Sequence, residues 1–280
     1  VFGESNVRTA QFTVLQASAQ IVWNIEDGFE YDGEEHSYSA TYRNVNGIDV
    51  PLDVTIVDGE AYKNAGDYTF NAEFATEAEK RNYKLDDDTT ERSIAARTVS
   101  VQFGNTDFTF DGKAKPVTAE LTDEVALADG VTLTQTYAGK PFGNRPFTAG
   151  AAAPSMAGNY TVTAALGNAN GNFVLAGDSL SFTIAKARVS VPELESKPFN
   201  NEEQVADVPE DARYTVSKND GGIHAGVYTV ELLLTNADDY LWYDGAECDG
   251  ADYALQWSIR QAVYGVDYTI ENPVYDGDYV

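Results

Sequence analysis

The sequence is poor in the side chains that most often carry chemistry. Among its 280 residues there is one cysteine, Cys248, and there are two histidines, His36 and His224. A single thiol excludes an internal disulfide framework and argues against a zinc cluster. Two histidines leave little material for a catalytic base. Neither lies in a nucleophile motif, and no Gly-x-Ser-x-Gly occurs. Both histidines read as loop residues, and Cys248, in an acidic stretch, reads as incidental. Basic residues are scarce as well: 18 Lys and Arg stand against 45 Asp and Glu, for a formal net charge of −27. Such a chain is repelled by phosphate backbones and by anionic membrane surfaces, which disfavours nucleic acid as a partner. No apolar run approaches the ~20 residues of a membrane-spanning helix, so no membrane insertion is expected of this sequence. Helical periodicity is nearly absent, with one or two turns at most over Ala75–Arg81.

What the sequence does contain is a repeat. Hydrophobic residues make up 43% and aromatics 12%, enough for folded cores despite the charge. Four motifs recur in fixed order. The first is an aromatic followed by a turn pair: Tyr31-Asp32-Gly33, Phe110-Asp111-Gly112, Phe199-Asn200-Asn201 and Tyr275-Asp276-Gly277. Asp-Gly and Asn-Asn suit turns that need positive φ. The second is Ala-Gly-x-Tyr-Thr, at 65–69, 157–161 and 225–229. Each copy opens an alternating run, such as Tyr68, Phe70, Ala72 and Phe74, which is the pattern of a half-buried strand. The third is a polar residue, an aromatic and then an apolar residue two further on: Asn82-Tyr83-Lys84-Leu85, Asn172-Phe173-Val174-Leu175 and Asp239-Tyr240-Leu241-Trp242. The fourth closes the unit, in Phe12-Thr13-Val14, Arg92-Ser93-Ile94, Phe182-Thr183-Ile184 and Trp257-Ser258-Ile259. The next strand then begins, at Ile21/Trp23/Ile25, Val99/Val101/Phe103, Val189/Val191 and Val266/Tyr268.

The closing residues Val14, Ile94, Ile184 and Ile259 recur at spacings of 80, 90 and 75 residues. The variation falls between motifs, where insertions belong in loops; the longest is the Gly/Ala/Pro-rich stretch from Gly139 to Pro154. The spacing predicts the tail of one repeat over 1–18, whole repeats over 19–96, 97–187 and 188–262, and the head of another over 263–280. A chain that opens at Val1 without a methionine or signal peptide reads as a fragment of a longer protein continuing past both ends. Short strands with Gly, Asp and Asn turns predict an all-β chain of tandem immunoglobulin-like antiparallel β-sandwiches, with β-grasp-like units as the alternative. Four residues separate Ile94 from Val99, and four separate Ile184 from Val189, so hinge motion is restricted. Three such units in series predict a rod of roughly 110 Å, at about 3.3 Å per strand residue and about 11 residues per unit length.

The ordered set resembles the MBG-type repeats of large bacterial surface proteins. Repeat two carries the best match: Phe108-Thr109-Phe110-Asp111-Gly112-Lys113-Ala114-Lys115-Pro116, then Ala157-Gly158-Asn159-Tyr160-Thr161-Val162-Thr163-Ala164, then Phe182-Thr183-Ile184-Ala185-Lys186-Ala187. Repeat three departs from it, with Asn200-Asn201 for Asp-Gly and Arg260-Gln261-Ala262 at its close. The resemblance implies an extracellular location on a bacterial surface and a non-catalytic stalk or spacer role in an adhesin-like protein. It carries over no catalytic residues, because the shared positions are turn and core positions. Neighbouring repeats are the expected partners, within a monomer.

Two alternatives follow from other features. A glycan- or host-protein-binding module is suggested by the aromatics Tyr240, Trp242 and Tyr243 and by the long loop of repeat two. Accessory repeats of a secreted enzyme would look the same within this stretch. The one candidate cofactor is calcium, for which Asp244, Glu247, Asp249 and Asp252 offer carboxylates on a Gly-containing loop without EF-hand spacing. Asp86-Asp87-Asp88 is a second acidic run of this kind, and an acidic hairpin loop accounts for either. Paired carboxylates for glycoside hydrolysis have no support beyond the abundance of acids. Lys–Asn isopeptide crosslinks, which strengthen stalks, require a meeting of side chains that sequence does not reveal.

Overall fold

The computed structural model describes residues 8–57, 59, 61–248 and 250–269. The Tyr275-Asp276-Gly277 motif and Asp249 lie outside the described residues. The described chain is almost wholly β. It divides into two compact units: Val1–Asn105 with Val117–Tyr137 and Thr161–Leu180, and Thr106–Pro116 with Ala138–Tyr160 and Ser181–Val280. These units are out of phase with the repeats of the sequence, so each unit contains one repeat junction.

The first repeat holds β1 (Ala17–Ile25), β2 (Phe29–Glu30), β3 (Tyr38–Arg43), β4 (Asp49–Ile56), β5 (Gly66–Glu73), the short helix α1 (Glu77–Asn82), β6 (Tyr83–Asp86) and β7 (Thr89–Ala95). The second holds β8 (Arg97–Gly104), β9 (Asp107–Thr109), β10 (Thr118–Leu121), α2 (Glu124–Ala128), β11 (Thr132–Pro141), β12 (Gly158–Gly167), β13 (Phe173–Ala176) and β14 (Ser179–Ala185). The third holds β15 (Ala187–Ser190), β16 (Lys197–Pro198), β17 (Tyr214–Asn219), β18 (Gly226–Leu234), β19 (Tyr240–Tyr243), β20 (Glu247–Cys248) and β21 (Asp252–Arg260).

One topology recurs. The orders β2-β7-β5-β4, β9-β14-β12-β11 and β16-β21-β18-β17 are the same four-stranded arrangement built from successive repeats. The opening strand of each repeat pairs instead with the strand of the third motif: β1 with β6, β8 with β13 and β15 with β19. The antiparallel expectation holds for the hairpins, such as β4 with β5 and β17 with β18, and for the pairing of β18 with β21. Each repeat adds two parallel pairs, at its opening strand and at the short strand before its turn motif. Sequence alternation reports which face of a strand is buried but not the direction of its neighbour.

Each motif has an identifiable job. In the first, the Asx side chain accepts from the backbone N–H two residues on: Asp32 from Glu34, Asp111 from Lys113 and Asn200 from Glu202, each at 2.9 Å. The next residue takes positive φ, at Gly33, Gly112 and Asn201, the conformation that Gly and Asn tolerate. The preceding aromatic donates its backbone N–H to the end of the closing strand: Tyr31 to Ala95, Phe110 to Ala185 and Phe199 to Arg260, each at 2.9 Å. In the second motif the tyrosine hydroxyl donates to the carbonyl four residues back: Tyr68 to Asn64 (2.8 Å), Tyr160 to Met156 (2.9 Å) and Tyr228 to His224 (2.7 Å). This bond uses only the backbone carbonyl of the accepting residue, so Asn, Met and His all serve there.

The predicted helical turn appears as α1, capped by the Thr76 hydroxyl, which accepts from the Glu79 N–H. Helix α2 was not expected from periodicity. It is five residues long, and its signal is Asp123, whose carboxylate accepts from Ala126 N–H at its N-cap. The segment around Phe12 and Val14 forms no strand and is exposed, and so is the segment around Val266 and Tyr268. Alternation alone does not make a strand where no partner edge completes the ladder.

Among the described residues, three buried apolar clusters stand out, and Tyr160, Val162 and Ile184 of repeat two are buried as well. One joins Tyr31, Tyr62, Phe70 and Ile94 of the first repeat to Val99, Val131 and Phe173 of the second, and so crosses the repeat boundary inside the first unit. Another, around Tyr42, Leu52 and Phe74, lies within repeat one. The third, around Val230, Leu232, Trp242 and Trp257, lies within repeat three.

Candidate functional site: the repeat junctions

Among the described residues, two polar side chains are buried: Asn172, 5% exposed, and Asp239, 2% exposed. Both are the polar residue that opens the third motif. Burying an amide or a carboxylate is costly unless its hydrogen bonds are made. What each one contacts defines a junction.

At the first junction, Asn172 Oδ1 accepts from the backbone N–H of Ala65 (2.9 Å), the alanine of the preceding repeat's Ala-Gly. Its Nδ2 donates to Asn64 Oδ1 (3.1 Å), and its carbonyl accepts from Arg97 N–H (2.8 Å). The next residue, Phe173, meets the Tyr31 ring edge-on, with centroids 5.3 Å apart. Tyr31 Oη donates to Asp129 Oδ2 (2.6 Å). Burial together with that carboxylate pushes the Tyr31 hydroxyl up to about 12. Arg97, at the first position of β8, pairs with Asp123 at 2.9 Å.

At the second junction, Asp239 Oδ1 accepts from the backbone N–H of Ala157 (2.8 Å), again the alanine of the preceding Ala-Gly. Its carbonyl accepts from Ala187 N–H (2.8 Å). The next residue, Tyr240, meets the Phe110 ring edge-on at 5.4 Å. Backbone and aromatic geometry thus repeat between the two junctions. The difference is charge. The carboxylate of Asp239 is gripped by Arg145, with Nη1 to Oδ2 at 2.5 Å and Nη2 to Oδ1 at 2.6 Å, and Asn236 Nδ2 donates to Oδ2 at 2.6 Å. Burial pushes the Asp239 carboxyl up, but Arg145, the Ala157 amide and Asn236 outweigh it and hold the group below the ordinary aspartate value. Hydrogen bonding to Asp239 raises Arg145 in turn. Lys186 Nζ donates to the Ala237 carbonyl at 2.5 Å.

Arg145 comes from the long insertion of repeat two. That loop is packed rather than splayed for a ligand: Pro154 is fully buried, and Phe147 lies edge-on to Tyr160 at 5.2 Å. The aromatics of repeat three that suggested a binding module are packed as well. Trp242 is fully buried and donates its Nε1–H to the Ala251 carbonyl, Tyr240 packs on Phe110, and Tyr243 lies beneath Arg188. Alternation places these residues on a strand but does not show that a neighbouring repeat or the domain core covers them.

The calcium candidates are dispersed over other contacts. Asp244 accepts from the Tyr253 hydroxyl (2.7 Å), Glu247 pairs with Arg188 (2.8 Å), and Asp252 opens β21. Asp249 lies outside the described residues, and among the described residues no three metal-ligating side chains converge. Asp86 accepts from the Ser18 hydroxyl at 3.3 Å. His36 packs at a tilt against Phe29, with ring centroids 4.2 Å apart, and reaches Asp32 at 3.2 Å, within its own repeat. The Cys248 thiol approaches the Ala246 carbonyl at 3.7 Å.

The sequence identified the third motif but gave its first residue no role. The signal was present: a hydrogen-bonding side chain at a fixed place before a buried aromatic, followed by the opening of a short strand. No helix of the described chain is long and apolar enough to cross a membrane. No protein-family model matches the chain, and no curated protein matches it. Among solved structures it is similar to one described as "Structure of surface layer protein SbsC, domains 1-6", at 12% identity and a TM-score of 0.21, covering 90% of this chain and 42% of that one.

Proposed function

We propose that this chain is a non-catalytic section of an extracellular stalk, built from MBG-type repeats, in an adhesin-like protein of a bacterial surface. Its task is to hold a distal domain away from the cell. The observation that carries this reading is the duplicated joint: Asn172 and Asp239, at the same motif position, each take the N–H of the preceding repeat's Ala-Gly alanine. Hydrogen bonds are directional, so a buried polar contact fixes rotation as well as distance. The links between closing and opening strands are single residues, Ala96 between β7 and β8 and Lys186 between β14 and β15. One residue beside a buried hydrogen bond leaves little freedom for a hinge. The high negative charge opposes self-association.

The test is small-angle scattering of the intact chain. The expected result is an elongated monomer with a maximum dimension of roughly 110 Å, from about 11 strand residues per repeat at about 3.3 Å each. A compact profile would overturn the proposal.

A further inference from the structure

The two filled joints share a set of fittings, and the third repeat presents the receiving half of that set. Phe199 donates its N–H to the closing strand as Tyr31 and Phe110 do, Asn200 makes the same Asx turn, and Tyr228 makes the same bond four residues back. The alanine of the Ala-Gly pair differs. Ala157 is fully buried and Ala65 half-buried beneath their partners, whereas Ala225 is exposed and its N–H has no acceptor among the described residues. A second observation points to the same vacancy. Tyr264 follows Ile259 at the distance by which Val99 follows Ile94 and Val189 follows Ile184. Val99 and Val189 are buried in opening strands paired in parallel with β13 and β19, the strands that immediately follow Asn172 and Asp239. Tyr264 is 80% exposed and pairs with nothing described.

We propose that the corner formed by Ala225, Phe199 and residues 262–266 is a third socket. Its occupant is an extended segment opening with asparagine, then an aromatic, then an apolar residue two further on. The side-chain oxygen of the asparagine accepts from Ala225 N–H, the aromatic meets the Phe199 ring edge-on, and the segment runs parallel to 262–266. This is strand addition to an edge that already has its turn and its corner in place. The choice of asparagine over aspartate follows from charge. The second joint takes a carboxylate because the repeat-two insertion supplies Arg145. The third repeat has no such insertion, and the stretch before its Ala-Gly, Asp220-Gly221-Gly222-Ile223-His224, contains no arginine. A carboxylate buried there lacks the partner that offsets its desolvation. The inference rests on the spacer reading, with a further repeat as the natural source of the segment.

The probe is a synthetic peptide with the sequence of residues 169–177, Ala-Asn-Gly-Asn-Phe-Val-Leu-Ala-Gly, titrated into the intact chain to millimolar concentration and followed by amide resonances and hydrogen exchange. The expected result is a saturable shift of the Ala225 amide with slowed exchange over 262–266. The Asn172→Ala and Asn172→Asp peptides should each bind about tenfold more weakly at neutral pH. An unmoved Ala225 amide, or equal binding by all three peptides, overturns the proposal. The two readings fail separately: a compact scattering profile with normal peptide binding removes the stalk and leaves the socket, and an elongated profile without binding does the reverse.

Discussion

The two units solve the same joint with different chemistry. In the first, the buried group is neutral: Asn172 faces Asn64, and an apolar cluster from Tyr31 to Phe173 runs across the repeat boundary. In the second, the buried group is an ion, and a loop inserted into the preceding repeat delivers Arg145 to neutralise it. The backbone acceptor, the alanine donor and the edge-on aromatic pair are the same in both. A joint can therefore change its charge when a compensating side chain arrives from elsewhere in the chain. The insertion that looked like a ligand loop in the sequence is the source of that compensation.

The comparison breaks most readily at the ion. Asp239→Ala leaves Arg145 half-stranded and the buried Ala157 N–H without an acceptor, with an expected loss of about 3 kcal/mol. Asn172→Ala removes a neutral amide, with an expected loss of about 1–2 kcal/mol. Both are read from denaturant unfolding of the intact chain, and equal losses would show that charge is irrelevant to the joint.

The second prediction concerns the glycine of the Ala-Gly motif. A Cβ on Gly158 would lie 2.5 Å from the Lys140 carbonyl oxygen and 2.6 Å from Pro141 Cα, whereas one on Gly226 finds nothing closer than 3.8 Å. Gly158→Ala should cost about 1–3 kcal/mol and Gly226→Ala much less, since backbone atoms cannot step aside as a side chain does. Thermal melts of the two variants compare them directly.

Acid sharpens the contrast. The Asp239 carboxyl is held below 3.8 when folded. Its contribution is therefore fully present above the unfolded value and is lost as pH falls through the lower folded one. The stability difference between the wild type and Asp239→Asn should be constant from about pH 5 to 8 and shrink below about pH 4. A difference that does not vary with pH would mean that the ion pair does not form.

The smallest expected effects lie in what the repeats share. Tyr68→Phe, Tyr160→Phe and Tyr228→Phe each remove one hydroxyl-to-carbonyl bond and should each cost about 1 kcal/mol. A large spread among the three midpoints in denaturant would show that the corner is not equivalent in the three repeats.

Much of the fold was readable because the signals are local. Asp32-Gly33 and Asn200-Asn201 specify turns through their own side chains and φ preference, and Tyr68, Phe70, Ala72 and Phe74 show their buried face through alternation. Alternation failed to give the environment of Trp242, which is fully buried in a core cluster. It also failed to give the direction of pairing of β1, β8 and β15.

By itself, the sequence determined the repeat, the order of its motifs and the turns and strands they form, because each depends on residues a few positions apart. Only the tertiary structure decided that Asn172 and Asp239 are the buried polar residues, and that one needs an amide beside it and the other an arginine. The reason is distance along the chain. Their backbone donors, Ala65 and Ala157, lie 107 and 82 residues away, and the cost of burying a polar group is set by partners that only folding brings together.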